Sequence, residues 1–132
     1  MSDSDRRPET VSGGEAAGGK QYDLEERTAR FGEDVIVLAR RVTKDVVNMP
    51  LTSQVVRSAT SVGANYVEAD DTQTKKDFRH KIGLCLREAK ETKHWLRMLA
   101  KANEDLATDC RMLWQEAHEL TLILAAIVRK VS

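Results

Sequence analysis

The sequence predicts an all-α fold, specifically an antiparallel up-down four-helix bundle. Apolar residues recur at alternating spacings of four and three, the pattern of helices that bury one stripe in a bundle. No segment alternates apolar and polar residues as a half-buried strand would. Short polar or proline-containing breaks divide the 132 residues into four such stretches, which together fit one domain.

Residues 1–20 are predicted to form a flexible N-terminal tail, and residues 21–132 the bundle. The tail holds four of the seven glycines and few apolar side chains, so it cannot bury enough surface to offset its ordering entropy. It lacks the apolar stretch of a signal peptide, and no stretch of the chain is apolar over the length of a membrane span. We therefore expect a cytoplasmic location.

The first two helices are predicted at about 24–46 and 52–69. Asp23, with Glu26 three residues later, has the form of a capping box. Pro50 is expected to break the chain, so that the second helix begins after it with Thr52 or Ser53 as N-cap. The predicted core positions are Leu24, Thr28, Phe31, Val35, Leu38 and Val42, then Val55, Ala59, Val62 and Tyr66.

The third and fourth helices are predicted at about 75–102, with Thr74 as cap, and 109–130. Their core positions are Phe78, Ile82, Cys85, Ala89, Thr92, Leu96 and Leu99, then Leu113, Ala117, Leu120, Leu124 and Ile127. Cys85 and Cys110 lie in apolar helical patterns, so both are expected as buried thiols in a reducing compartment. Gly32, Gly63 and Gly83 fall inside helices and are interpreted as close-packing points between helices or subunits.

A row of basic and titratable residues follows the third helix at spacings of four and three. This basic seam consists of Lys76, His80, Gly83, Arg87, Lys90, His94, Arg97 and Lys101, of which all but Gly83 are basic or titratable. Residues 75–101 carry nine Lys and Arg against three Asp and Glu, a net of +6 in a chain of zero net charge. At about 1.5 Å per residue the seam is roughly 37 Å long, close to one turn of a nucleic-acid duplex.

The seam and its flanks supply the candidate nucleic-acid-binding residues. These are Lys76, Arg79, Arg87, Lys90, Lys93, Arg97 and Lys101, whose charges suit phosphate contacts. The alternative is a solvated face whose cations pair with acids of the first and fourth helices, within the subunit or across an oligomer interface.

A polar set lines one face of the second helix. Arg57, Ser61, Asn65 and Glu68 follow at spacings of four, four and three among small neighbours. We interpret them as a structural polar network that specifies register. The alternative is a binding site for a ligand or partner; no nucleophile–base pair accompanies the set.

A di-metal site and catalytic residues are not predicted. Such bundle sites need Glu-x-x-His on two helices. Glu91 and His94 form one such motif, but Gln115 stands where the motif ending at His118 needs glutamate. We therefore predict no metal, no cofactor and no enzymatic activity.

Three segments resemble a known family: residues 22–28 (YDLEERT), 57–69 (RSATSVGANYVEA) and 77–96. Together they are similar to the bacterial four-helix-bundle proteins encoded in intervening sequences of 23S ribosomal RNA genes, a family related to the accessory variability protein of diversity-generating retroelements. The resemblance covers roughly residues 22–130. It implies a homopentameric barrel of bundles, a positively charged surface in the retroelement relatives, and no established enzymatic activity. His94 stands where family members usually carry tyrosine.

The patterns and the resemblance together predict a non-enzymatic oligomeric scaffold that binds RNA or a nucleoprotein partner through the third helix. Alternatives are a purely structural or protein-partner assembly module without nucleic-acid binding and, more remotely, a metal-dependent enzyme. A closed homo-oligomer, expected as a pentamer, is indicated by a second apolar set that one core cannot bury. That set is Ile36, Val37, Val56, Val67, Leu84, Trp95, Met112 and Ile123.

Overall fold

The computed structural model describes residues 23–131, and these residues form four α-helices and no strand. The helices are α1 (Leu24–Arg41), α2 (Asn48–Asp70), α3 (Lys75–Ala102) and α4 (Ala107–Lys130), with a 3-10 turn at Glu104–Leu106. The predicted all-helical fold is therefore confirmed, and the bounds of α3 agree with the prediction. The tail predicted for residues 1–20 lies outside the described residues.

The connection between α1 and α2 differs from the prediction, because α1 ends before residue 46 and α2 begins before residue 52. Oδ1 of Asp45 accepts the backbone N–H of Val47 at 3.0 Å and of Asn48 at 2.7 Å, so it caps α2. Pro50 then falls in the first turn of α2, where proline is tolerated better than in a helix interior. Thr52 is inside the helix, and its hydroxyl donates to the carbonyl of Asn48.

The caps predicted for α1 and α3 are present. The side chain of Asp23 accepts the N–H of Glu26 at 3.1 Å, and Oγ1 of Thr74 accepts the N–H of Asp77 at 3.1 Å. Each satisfies one of the backbone donors that a helix start leaves without a partner. Helix α4 begins two residues before the predicted position, directly after the 3-10 turn.

The core contains nearly every predicted apolar position. All predicted core residues of α1, α2 and α3 are buried, whereas Leu113 and Ile127 of α4 are half-buried. Cys85 and Cys110 are free and buried. Loss of solvent raises the pKa of the Cys85 thiol to about 12 and also raises the pKa of the Cys110 thiol, as is typical of buried structural cysteines.

Where neighbouring helices contact each other, residue numbers increase along one helix while those of the contacted residues decrease along the other. Between α2 and α3, Asn48 contacts Asn103, the hydroxyls of Ser58 and Thr92 lie 2.9 Å apart, and Glu68 contacts Lys81. Helices α1 and α2 approach each other closely at Gly63, where a Cβ would lie 3.4 Å from the backbone of Thr28. The contact between α1 and α4 is less extensive than the contacts of α1 with α2, of α2 with α3 and of α3 with α4.

Candidate nucleic-acid interface

The basic seam follows the face of α3 that points away from the core. The core face of α3 is fully buried at Phe78, Ile82, Cys85, Ala89, Thr92, Leu96 and Leu99. All charged and titratable members of the seam are exposed, and Gly83 is half-buried. The flanking residue Arg79 is exposed as well. The spacing of the seam therefore produces one continuous cationic row on the outside of the bundle.

The cations of this row are free of ion pairs with the rest of residues 23–131. Within that range, neither Arg79 nor any Lys or Arg of the seam lies within ion-pair distance of an acid. The acids of α4 are instead held by α1, since Arg27 contacts Glu116 and Glu119, and Arg41 contacts Asp109. The alternative hypothesis, in which seam cations pair with acids of the same subunit, is therefore not supported by any ion pair among residues 23–131.

Lys93 differs from the other candidates because it faces α4. Its Nζ lies 3.0 Å from Nδ1 of His118 and 4.7 Å from the ring centroid of Trp114. The rings of Trp114 and His118 are stacked at 5.2 Å with an interplanar angle of 12°. Lys93 is thus within hydrogen-bond distance of the His118 ring, and its Nζ lies over the indole of Trp114 as in a cation–π contact. Lys93 thereby fixes the indole of Trp114 beside the seam.

A pocket of about 390 Å³ opens between α3 and α4 next to this cluster. It is lined by Leu96, Arg97, Ala100, Cys110, Arg111 and Trp114. Leu96 and Cys110 are buried, whereas Arg97 and Arg111 are exposed. Arg97 belongs to the seam, so the pocket adjoins the cationic row. Sequence reasoning missed this pocket, because only the relative positions of the two helices bring its residues together.

The four polar residues of α2 do not form one buried network, which corrects the prediction for Arg57, Ser61, Asn65 and Glu68. Ser61 and Asn65 donate to backbone carbonyls of their own helix, whereas Arg57 and Glu68 are exposed and reach across to α3. Small neighbours did not bury the set, since these side chains lie at the rim of the α2–α3 contact. Arg57 and Glu68 therefore link α2 to α3 at this rim, and we call these links the helix–helix clamp.

Arg57 is the centre of that clamp. Its guanidinium pairs with Glu88, at 3.3 Å, and with Glu91. The indole N–H of Trp95 donates to the Glu91 carboxylate at 2.9 Å. This hydrogen bond from Trp95, together with the positive charge of Arg57, holds the pKa of Glu91 below its ordinary value. At the other end of the same contact, Lys81 pairs with Glu68 at 2.7 Å.

No group of three or more His, Cys, Asp or Glu side chains within residues 23–131 is arranged to hold a metal ion. Glu91 is engaged by Arg57 and Trp95, whereas His94 is exposed and packs edge-on against Trp95. Both members of the Glu-x-x-His motif therefore contact Trp95, and the Glu91 carboxylate is also paired with Arg57. No helix in the described part of the chain is long and apolar enough to cross a membrane.

A second face of the molecule, between α1 and α2, is apolar and open. It carries a groove of about 420 Å³ whose lining is mainly small and apolar, with Ala29, Gly32, Ile36, Gly63 and Val67, and also includes Glu25 and Glu33. Of the predicted second apolar set, Ile36, Val37, Val67 and Met112 are exposed, and Val56, Leu84, Trp95 and Ile123 are half-buried. Exposed apolar surface of this kind is typical of protein contacts.

The chain is similar to known proteins in both sequence and fold. The model of the 23S rRNA-intervening sequence protein family matches residues 20–126. A crystal structure of a protein of unknown function from the S23 ribosomal protein family of Bacteroides thetaiotaomicron is similar with a TM-score of 0.73 and 25% sequence identity. That similarity covers 80% of this chain and 95% of the Bacteroides chain. Among curated proteins, none matches the sequence significantly.

Proposed function

Because this chain belongs to the family of 23S rRNA-intervening sequence proteins, we propose that it is a non-enzymatic oligomeric scaffold that binds RNA or a nucleoprotein through the basic seam of α3. The observation that carries the proposal is the exposed cationic row. None of its Lys and Arg residues lies within ion-pair distance of an acid among residues 23–131. Such a row neutralises phosphates and gives sequence-independent, salt-sensitive binding.

The scaffold part of the proposal is an antiparallel up-down bundle that closes into a ring of copies, a pentamer as the family resemblance implies. The opposed numbering of the contacts between α2 and α3 supports the antiparallel arrangement. The apolar face between α1 and α2 supports assembly, because Ile36 is 37% exposed and Val67 47% exposed in the single chain. A subunit contact would remove this surface from water at roughly 25 cal/mol per Å².

We place this scaffold in the cytoplasm. Two buried cysteines without a disulfide suit a reducing compartment.

A second candidate is a structural or protein-partner assembly module without nucleic-acid binding. The same apolar face between α1 and α2 favours it, because another protein surface can cover this face without any nucleic acid. The two candidates differ in what the seam does. In the second, the seam cations serve solubility or contact a neighbouring subunit.

The test replaces Arg87, Lys90, Arg97 and Lys101 with glutamine. Glutamine preserves helix propensity and removes charge. The matched control replaces Arg30, Lys44, Arg129 and Lys130, which are also exposed but lie outside α3, and therefore has the same net charge. Binding of a structured RNA is measured across a salt series for both variants and the wild type. Mass is measured by light scattering with and without RNA.

We expect only the seam variant to lose affinity, and to lose it for unrelated RNA sequences alike. Its salt dependence should also become shallower, by roughly 0.7–0.9 log units of slope for each phosphate contact removed. If the wild type does not bind RNA at low salt, the second candidate replaces the first. If the seam variant instead separates into monomers, the seam is a subunit interface, and RNA binding through it is excluded.

A further inference from the structure

The pocket between α3 and α4 combines features that the seam alone lacks. Its floor is apolar at Leu96, Ala100 and Cys110, and an aromatic ring, Trp114, forms part of its wall. Two guanidinium groups, Arg97 and Arg111, complete the lining. Its volume of about 390 Å³ lies at the small end of the range of about 300–1,000 Å³ that is typical of ligand pockets. The pocket therefore suits a small, flat, apolar group that carries negative charge on its periphery.

The indole of Trp114 is held firmly enough to act as a stacking surface. His118 stacks on it at 5.2 Å, and Lys93 lies 4.7 Å from its centroid. Because Lys93 belongs to α3 and His118 to α4, the contact between them fixes the ring between two helices. An aromatic ring that is already ordered loses little side-chain entropy when a ligand stacks on it.

The charges around the pocket favour an anionic ligand. Neither Arg97 nor Arg111 forms an ion pair with a residue in the range 23–131, and Arg111 contacts only the hydroxyl of Thr108 by a side-chain hydrogen bond. Asp109, the acid next to the pocket in sequence, is paired with Arg41 at 3.1 Å. Both guanidinium groups therefore keep donors for phosphate oxygens, which they bind well because of their planar fork of N–H groups.

The pocket is continuous with the basic seam through Arg97. Lys101 lies one turn further along α3, and Lys90 two turns back, so cations flank the pocket on the same helix. A positively charged track beside an aromatic ring is how proteins bind single-stranded nucleic acid. A duplex can place phosphates on the seam, but its bases are paired and stacked inside it.

We infer that this pocket takes one unpaired nucleobase of single-stranded RNA, stacked on Trp114, with the neighbouring phosphates on Arg97 and Arg111. The inference rests on the proposed RNA binding and adds the class of RNA. The protein then prefers single strands and loops to duplex, and it accepts different bases, because every base has a flat face to stack.

The test compares an unstructured 12-nucleotide RNA with a 12-base-pair duplex RNA, using the full chain. Trp114→Leu keeps an apolar side chain but removes the aromatic ring, and we expect it to weaken single-strand binding by about 10-fold, within the range reported for loss of one stacked base. Duplex binding should change less than twofold. Trp114→Phe should restore most of the single-strand affinity. Trp95→Leu is the control, since Trp95 contacts Glu91 on the side of α3 that faces α2.

A fluorescence measurement keeps the inference testable if Trp114→Leu folds poorly. In a Trp95→Phe variant, Trp114 is the one remaining tryptophan of the sequence. Stacking of a base should quench its emission, and the single strand should quench it more than the duplex does.

The outcomes separate the two proposals. If wild type and Trp114→Leu bind both RNAs equally well, or if single-strand binding leaves Trp114 emission unchanged, the pocket inference is wrong and the seam proposal stands. If the wild type binds neither RNA, both are wrong. If Trp114→Leu lowers the oligomer mass, the pocket is a subunit contact, which also overturns the inference.

Discussion

The carboxamides of Asn48 and Asn103 donate to each other, with Nδ2–Oδ1 distances of 3.0 and 2.9 Å. Both side chains are buried. Asn48 also donates to the carbonyl of Thr43, and Asn103 to the carbonyl of Leu99. This amide pair therefore ties the start of α2, and the loop before it, to the end of α3.

We expect Asn48→Ala and Asn103→Ala each to lower the free energy of unfolding by about 1–3 kcal/mol, because each leaves the other amide buried without its partner. Chemical denaturation would measure the loss. The double variant should cost clearly less than the sum of the two single variants, since the second substitution removes a group that is already unpaired. Additive effects would show that the two amides act independently.

The Glu91 carboxylate should make stability depend on pH in the acid range. Its pKa in the folded chain lies below the ordinary value of 4.5, because of the Trp95 hydrogen bond and the Arg57 charge. The stability that it contributes is therefore fully present above pH 4.5 and is lost as the pH falls through the lowered folded-state pKa. Glu91→Gln lacks this dependence.

Denaturation curves measured at a series of pH values would test this. The wild type should be the more stable protein above pH 4.5, and its advantage over Glu91→Gln should shrink below that pH. Glu33→Gln, an exposed position on α1, is the control and should follow the wild type. An advantage that stays constant down to pH 2 would contradict the role of the carboxylate charge.

Gly83→Ala should stabilise the protein by up to about 1 kcal/mol, because alanine has the higher helix propensity. A Cβ at this position meets no atom of the described chain within 4 Å, so Gly83 is not a packing point inside the subunit. Gly63→Ala is the comparison, since its Cβ would touch the backbone of Thr28, and it should gain less. Thermal unfolding gives the stability. A fall in oligomer mass for Gly83→Ala would show instead that a neighbouring subunit packs on this glycine.

The polar groups between α2 and α3 should differ in their contribution according to burial. Thr92→Val should cost about 1–2 kcal/mol, since it removes the hydroxyl that lies 2.9 Å from buried Ser58. Glu68→Ala should cost less than about 1 kcal/mol, because its ion pair with Lys81 is exposed. Urea titration of the two variants side by side would measure both values. A larger loss for Glu68→Ala would mean that this residue is buried in the assembly.

The sequence predicted those parts of the fold that depend on one helix at a time. The core face of α3 follows from spacing alone, and so does the position of the seam on the opposite face. The predicted end of α1 and start of α2 were wrong, because Asp45 caps the second helix and its first turn tolerates Pro50. The sequence alone gives little indication that a loop residue caps a helix several positions before a proline.

Features that require two helices could not be predicted. Asn48 and Asn103 are 55 positions apart, and nothing in their local sequence marks them as partners. The pocket at Trp114 depends in the same way on the register of α4 against α3. The predicted network on α2 was wrong for the same reason, since Arg57 finds its acids on α3 and not on its own helix.

The concentration of charge on one helix has a consequence for the behaviour of the protein in solution. The net +6 of α3 is balanced by an equal negative charge spread over the rest of the sequence, and the isoelectric point is about 6.8. A neutral molecule with separated charges is a large electric dipole. Near neutral pH and at low ionic strength, copies should attract one another and precipitate. At 0.1 M salt, where the Debye length is about 10 Å, this attraction is screened. The protein should therefore salt in, and its solubility should rise with added salt.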